Sequence, residues 1–174
     1  VDIPDGPTQM MKVTLEAKCG VSEYSFLLDN NPPEGEVFIP KLNFSTCHDE
    51  WLGIYSRMVS TPIYYQVCKD LINEVCQLFN AKYMDIGFDE EVYENQAKYD
   101  FVVIRQIDLW WHDLKFFNDC VNANGARTMM WSDYARHNPQ EFVEKCPKNI
   151  IQCVWYYFNE FGKQGLSPEN EIRL

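Results

Sequence analysis

The sequence predicts an α/β fold built on a parallel sheet. From residue 36 onward, short apolar runs alternate with helical patterns in the order β-α-β-α-β-α-β. Each apolar run also ends in a cluster of polar residues, and in parallel folds the carboxyl ends of the strands carry the sites. Right-handed crossovers would join successive strands. Both a doubly wound sheet and a barrel satisfy this order.

The elements follow one another with recognisable start and stop signals. Lys12 to Lys18 alternates Val13, Leu15 and Ala17 with polar neighbours, which predicts a strand. Asn30-Asn31-Pro32-Pro33-Glu34-Gly35 reads as a loop or linker. Residues 1–35 therefore form a separate N-terminal segment, and 36–174 a barrel-type or doubly wound domain. Glu36 to Phe44 is the first strand of that domain. Ser60-Thr61-Pro62 starts a helix with a hydroxyl cap and proline in the first turn. This helix runs to about Asn80, with Ile63, Val67, Leu71, Val75 and Leu78 as its buried stripe. Ala81 to Gly87 is the next strand. Leu109 to Val121 is the next helix, stopped by Asn124-Gly125. Arg127 to Ser132 is a third strand. Asn138-Pro139 opens a short helix that ends before Pro147, and Ile150 to Tyr157 is a fourth strand.

Composition narrows the chemistry. The net charge of −11 argues against nucleic acid, whose phosphates need Lys and Arg. It argues equally against an acidic membrane surface. No run of about 18 apolar residues is present, so no membrane span is expected. The 15% aromatic content supplies a large core, and some of these rings suit the apolar face of a sugar. There are seven cysteines and no CxxC, which points to buried free thiols. Cys68 and Cys76 lie roughly 12 Å apart along one helix and cannot bridge. No G-x-G-x-x-G, P-loop or G-x-S-x-G occurs, so neither a nucleotide cofactor nor a serine nucleophile is expected. No cofactor of any other kind is expected either.

The polar residues at the strand ends are the candidate site. The first strand ends in Asn43, followed by Ser45, Thr46 and His48; the second in Asp85, then Asp89, Glu90 and Glu91. The third ends in Trp131 and Asp133, the fourth in Trp155, Tyr156 and Tyr157. Three consecutive acids can be a solvated helix N-terminus. They can also be a general acid beside a second carboxylate, with pKa values driven apart. Gly87 would allow an unusual backbone angle before the pair. His48, His112 and His137 are the only histidines, and no HxH or HExxH spacing makes them metal ligands. His112 is expected on a helix and His137 in a loop.

These stretches resemble glycoside hydrolase family 20. Asp85-Ile86-Gly87-Phe88-Asp89-Glu90 is similar to the family's His-x-Gly-x-Asp-Glu signature at the fourth barrel strand. Ile39 to His48 resembles the preceding strand end, with its Pro-Glu-Ile-Asp and Gly-His. Met129 to Asp133 resembles the Trp-x-Asp after the fifth strand, and Val154-Trp155-Tyr156 the sixth. The resemblance covers about residues 36–160. It is nearest to bacterial family 20-like and Tat-pathway-signal proteins with PKLNFST, GxDEE and WSDYA stretches.

The resemblance implies a partial (β/α)8 TIM-type barrel of about four βα units, with helices outside. It implies substrate-assisted hydrolysis of a terminal β-linked N-acetylhexosamine. Glu90 would protonate the leaving oxygen, and Asp89 would orient the 2-acetamido group, whose oxygen is the nucleophile. Trp131 and Trp155 would line the sugar pocket. Asp133 and His48 would bind hydroxyls or support the acid, and Asn43, Asp85 and Tyr156 complete the candidate sugar contacts. No metal ligand is assigned. A periplasmic or secreted location is also implied. Three positions depart from the family pattern: Asp85 replaces the signature His, Lys41 a Glu and Asn43 an Asp. They favour the alternative of a catalytically silent carbohydrate-binding barrel. A metal-dependent hydrolase is a third alternative, marked by loss of activity on chelation. The 174 residues fall short of the roughly 250 of a complete barrel, so self-association or a missing barrel half is expected.

Overall fold

A computed structural model describes residues 37–154, together with two strands before them. The chain divides into two units, Val1–Phe38 and Ile39–Leu174. In the first, β1 (Gln9–Ala17) pairs antiparallel with β2 (Gly20–Leu28), from Gln9 opposite Leu28 to Ala17 opposite Gly20. The alternation in Lys12 to Lys18 marks the first of these strands. The second was not legible, because Gly20 to Leu28 mixes polar and apolar residues on both faces. The expected loop at residues 30–35 lies outside the described residues.

The second unit holds three parallel strands in sequential order: β3 (Tyr83–Asp85), β4 (Arg127–Trp131) and β5 (Ile151–Cys153). The expected strand at 36–44 is not a strand. Its contact with β3 is a single parallel bridge, Lys41 to Asp85, extended by Leu42 N–H to Asp85 O and Phe44 N–H to Ile86 O. Pro40 has no N–H for a longer ladder, although its carbonyl accepts from Asp85 N–H. The order 41–44, β3, β4, β5 is that of a barrel. A doubly wound sheet reverses direction at its switch point.

Helix α1 (Pro62–Leu78) starts at the predicted cap, Thr61, whose hydroxyl accepts from Tyr64 N–H. Its buried face overlaps the predicted stripe at Val75, with Val67 and Leu71 partly buried against the core, and is centred one residue further on. Tyr64, Cys68, Ile72, Val75 and Cys76 are buried, whereas Ile63 is 47% exposed. Two apolar stripes run side by side on this helix, and the one carrying Tyr64 meets the aromatic core. Helix α2 (Ile107–Ala123) extends two residues further at each end than predicted, and Gly125 stops it at φ +76°. A short helix, α3 (Asp133–His137), precedes α4 (Pro139–Lys145) and carries His137, which was expected in a loop. Asp133 in its first turn favours the helical start. The fourth predicted strand is seen only as Ile151–Cys153, and Trp155 to Tyr157 lie outside the described residues.

The aromatic residues mostly build the core. Phe117 stacks on Phe44 at 4.4 Å and meets Tyr64 and Phe88 edge-on, while Trp110 stacks on Tyr134 at 4.0 Å. Phe44, Met84, Ile86, Thr128 and Met130 are fully buried. The six described cysteines are unpaired, and five of them are buried. Among the described residues no helix is long and apolar enough to cross a membrane.

One buried carboxyl sets a pH dependence. Asp49 is fully enclosed and paired with Arg57 at 2.6 Å. Burial pushes it up to about 6, against the opposing pull of Arg57. The folded protein thus keeps a proton that the unfolded chain releases near pH 4. Stability is expected to fall as pH rises from about 4 to about 6, and to level off above that. Burial raises Asp85 and Asp133 too, which adds slope of the same sign. Urea titrations across this range should show a flatter profile for Asp49→Asn. An unchanged slope would assign the effect to other carboxyls.

Candidate active site

The sheet register assembles the site. Lys41, Asp85, Met129 and Ile151 occupy one row across the strands. Two residues on, Asn43, Gly87, Trp131 and Cys153 share the same face, because side chains alternate along a strand. The first row ends at a Lys–Asp pair, 3.7 Å apart, with the Lys41 ammonium 4.7 Å above the Trp131 ring. Asp85 also accepts from Gly87 N–H at 2.8 Å. Burial raises this carboxyl above the usual range, while the Gly87 and Lys41 contacts pull it down.

Beyond β3 the chain makes a tight turn. Gly87, Phe88 and Glu90 have φ of +73°, +65° and +54°. Such angles are costly for a residue with a side chain and persist only where the surroundings impose them. Gly87 is required here for a second reason: a Cβ would lie 2.0 Å from Asn43 Oδ1. The turn sets Asp89 and Glu90 in different surroundings. The Asp89 side chain is 8% exposed and that of Glu90 38%.

Several groups fix the pair. Asn43 Nδ2 donates to Asp89 Oδ1 at 2.8 Å, and Ser45 Oγ donates to the Asp89 carbonyl at 2.5 Å. His48 Nε2 lies 3.1 Å from Glu90 Oε2 and 3.7 Å from Asp89 Oδ2. Asp133, at the start of α3, accepts Glu90 N–H at 2.9 Å. Burial raises the Asp133 carboxyl, the Glu90 N–H opposes this, and the charges of Asp89 and Glu90 add to it. Trp51 Nε1 donates to the Asn43 carbonyl at 2.9 Å, which holds the segment that bridges to β3.

Glu91, the third acid, is not solvated. Its side chain is 5% exposed and its Oε1 accepts from Arg105 Nη2 at 2.9 Å. The acidic run is therefore not a hydrated helix N-terminus.

Asn43, His48, Asp85, Asp89, Glu90, Trp131 and Asp133 thus converge on one end of the sheet, while Trp155 and Tyr156 lie outside the described residues. Sequence reading missed Arg105, a lone cation after the apolar Phe101 to Ile104. It placed Ser45 among the strand-end polar residues but did not single out Trp51. His112 sits exposed on α2 beside Asp113, away from this cluster. His48, Asp89 and Glu90 also offer three ligand atoms within 4.8 Å of one another.

Residues 42–168 match the family model for glycosyl hydrolase family 20, catalytic domain. The chain belongs to glycosyl hydrolase family 20. The family and the sequential parallel sheet together make the fold a part of a (β/α)8 barrel. The exo-β-N-acetylglucosaminidase of Vibrio harveyi is similar in two crystal structures. An inactive mutant is 22% identical over 55% of this chain and 15% of that chain, with a TM-score of 0.40. The complex with N-acetylglucosamine is 24% identical over the same shares, 55% and 15%, with a TM-score of 0.39. The aligned region thus spans about 15% of the length of those family 20 enzymes. No curated protein matches the chain.

Proposed function

We propose that this chain carries a glycoside hydrolase site for a terminal β-linked N-acetylhexosamine or a related sugar. The observation that carries the reading is the adjacent pair with unequal exposure: a buried, anchored Asp89 beside a reachable Glu90. Glu90 gives its proton to the glycosidic oxygen as the C1–O bond breaks. The substrate's acetamido oxygen forms the new bond to C1, and Asp89 orients that group and offsets its developing positive charge. Water then attacks C1 as the bond to the acetamido oxygen breaks, which restores the acetamido group, and the water's proton returns to Glu90. His48 supports the acid, and Asp133 holds the backbone that carries it. Asn43, Asp85, Trp131, Trp155 and Tyr156 are the remaining candidate sugar contacts. In this reading residues 36–174 are the catalytic-type domain, 1–35 a separate segment, and a second barrel half or copy completes the sheet.

The test is release of aryl alcohol from an aryl N-acetyl-β-hexosaminide and from the matching hexoside without the acetamido group. Only the first should turn over, and Asp89→Asn should lose on the order of 10²-fold. Equal rates on both substrates would rule out assistance by the acetamido group. One observation favours a second reading, a catalytically silent sugar-binding barrel: Asp85 is committed to Lys41 and Gly87. Saturable sugar binding without hydrolysis would select it.

A further inference from the structure

We infer that Arg105 is a positioning residue for the Asp89–Glu90 pair, an inference that rests on the glycosidase reading above. Its side chain is 1% exposed. The guanidinium stands 4.3 Å over the Phe88 ring and donates through Nε and Nη2 to Glu91 Oε1, at 3.0 and 2.9 Å. Phe88 and Glu91 are the residues on either side of the pair. Arg105 therefore grips the turn at both ends, across the positive φ angles of Phe88 and Glu90.

The same group also holds the opposite wall of the site. Nη2 donates to the Phe44 carbonyl at 2.6 Å, and Glu91 Oε1 accepts Thr46 N–H at 3.2 Å. Phe44 and Thr46 flank Ser45, which bonds the Asp89 carbonyl. They also lie between Asn43 and His48, the residues that touch Asp89 and Glu90. Nη1 lies 3.5 Å from Asp113 Oδ2 on α2, and Asp113 in turn accepts from Ser60 Oγ and Tyr65 Oη. One buried cation thus ties the loop carrying the acid pair to the loop carrying its partners, and anchors both to a helix. A planar fork with several fixed donors can do this; a lysine, with one mobile ammonium, cannot.

Arg105→Lys in the full chain tests the inference through two signals. The first needs no turnover. The His48 ring resonances in NMR spectra, which report its contact with Glu90, should shift. The second is catalytic. Loss of kcat should be on the order of tenfold to a hundredfold on an aryl glycoside with a poor leaving group. It should be much smaller on one with a good leaving group, with KM little changed. A misplaced acid produces that bias, whereas general loosening lowers both rates together.

Unmoved His48 signals in folded Arg105→Lys, or equal losses on the two substrates, overturn the inference. If Arg105→Lys does not fold, Glu91→Gln takes its place. It keeps an acceptor for Arg105 and Thr46 but loses the charge, and the same two signals are expected. Glu90→Gln measured alongside separates the levels. If it shows no leaving-group bias, the assignment of the acid fails and the His48 resonances alone decide the role of Arg105.

Discussion

Glu90→Gln should abolish hydrolysis of aryl N-acetyl-β-hexosaminides with poor leaving groups while leaving the fold intact. General acid catalysis contributes about 10²–10⁴-fold, and a poor leaving group places the loss near the upper end. The fold should survive because the Glu90 side chain is 38% exposed, its ion pair among the described residues is with the part-exposed His48, and its charge disfavours ionisation of Asp133. Glutamine has the same shape, so the backbone at φ +54° and its N–H bond to Asp133 are unaffected. Activated leaving groups need little proton assistance, and with them the variant should recover much of its rate. Urea unfolding should give a midpoint close to that of the parent. A Glu90→Gln protein that cleaves the poor substrate at the parental rate would end the assignment of Glu90 as the acid.

Gly87→Ala should damage both stability and the site. The added methyl would sit 2.0 Å from Asn43 Oδ1 and 2.3 Å from its Cγ. Asn43 must then swing away, breaking its bond to Asp89 and the one it accepts from Ser45 N–H. The alanine must also hold φ +73°. Backbone strain of this kind costs about 1–3 kcal/mol, and each lost hydrogen bond about 1 kcal/mol more. A double-mutant cycle identifies the cause. In an Asn43→Ala background the steric part disappears, so Gly87→Ala should cost less there, yet activity should not return because the Asp89 anchor is gone. The same cost in both backgrounds would show that the Asn43 contact is not responsible.

Much of the layout was legible because it depends on local signals. Thr61-Pro62 fixed the start of α1, and Asn124-Gly125 fixed the end of α2. The order of apolar runs gave a parallel sheet, and the polar residues after each run marked the candidate site. Where local signals competed, the reading failed. Two apolar stripes one residue apart on α1 differ only in which meets the core, and Phe117 and Phe44 decide that from distant parts of the chain. Pro40 turned an expected strand into one bridge, because β3 could take its carbonyl and find no N–H. The acidic run read equally well as a solvated helix start. Only the burial of Arg105 against Glu91 showed that the third acid faces inward.

The sequence by itself determined the α/β class with its alternating elements and placed the acids after a strand, since periodicity, caps and strand-end polarity are properties of neighbouring residues; the barrel and the candidate pair Asp89–Glu90 came from the resemblance to glycoside hydrolase family 20. The tertiary structure decided the unequal exposure of that pair, the Asn43–Gly87 contact and the Arg105 clamp. These join residues 14 to 61 positions apart in the chain, and no local spacing specifies them. Their geometry exists only once the parallel register sets the strand ends side by side and the helices close over the other face.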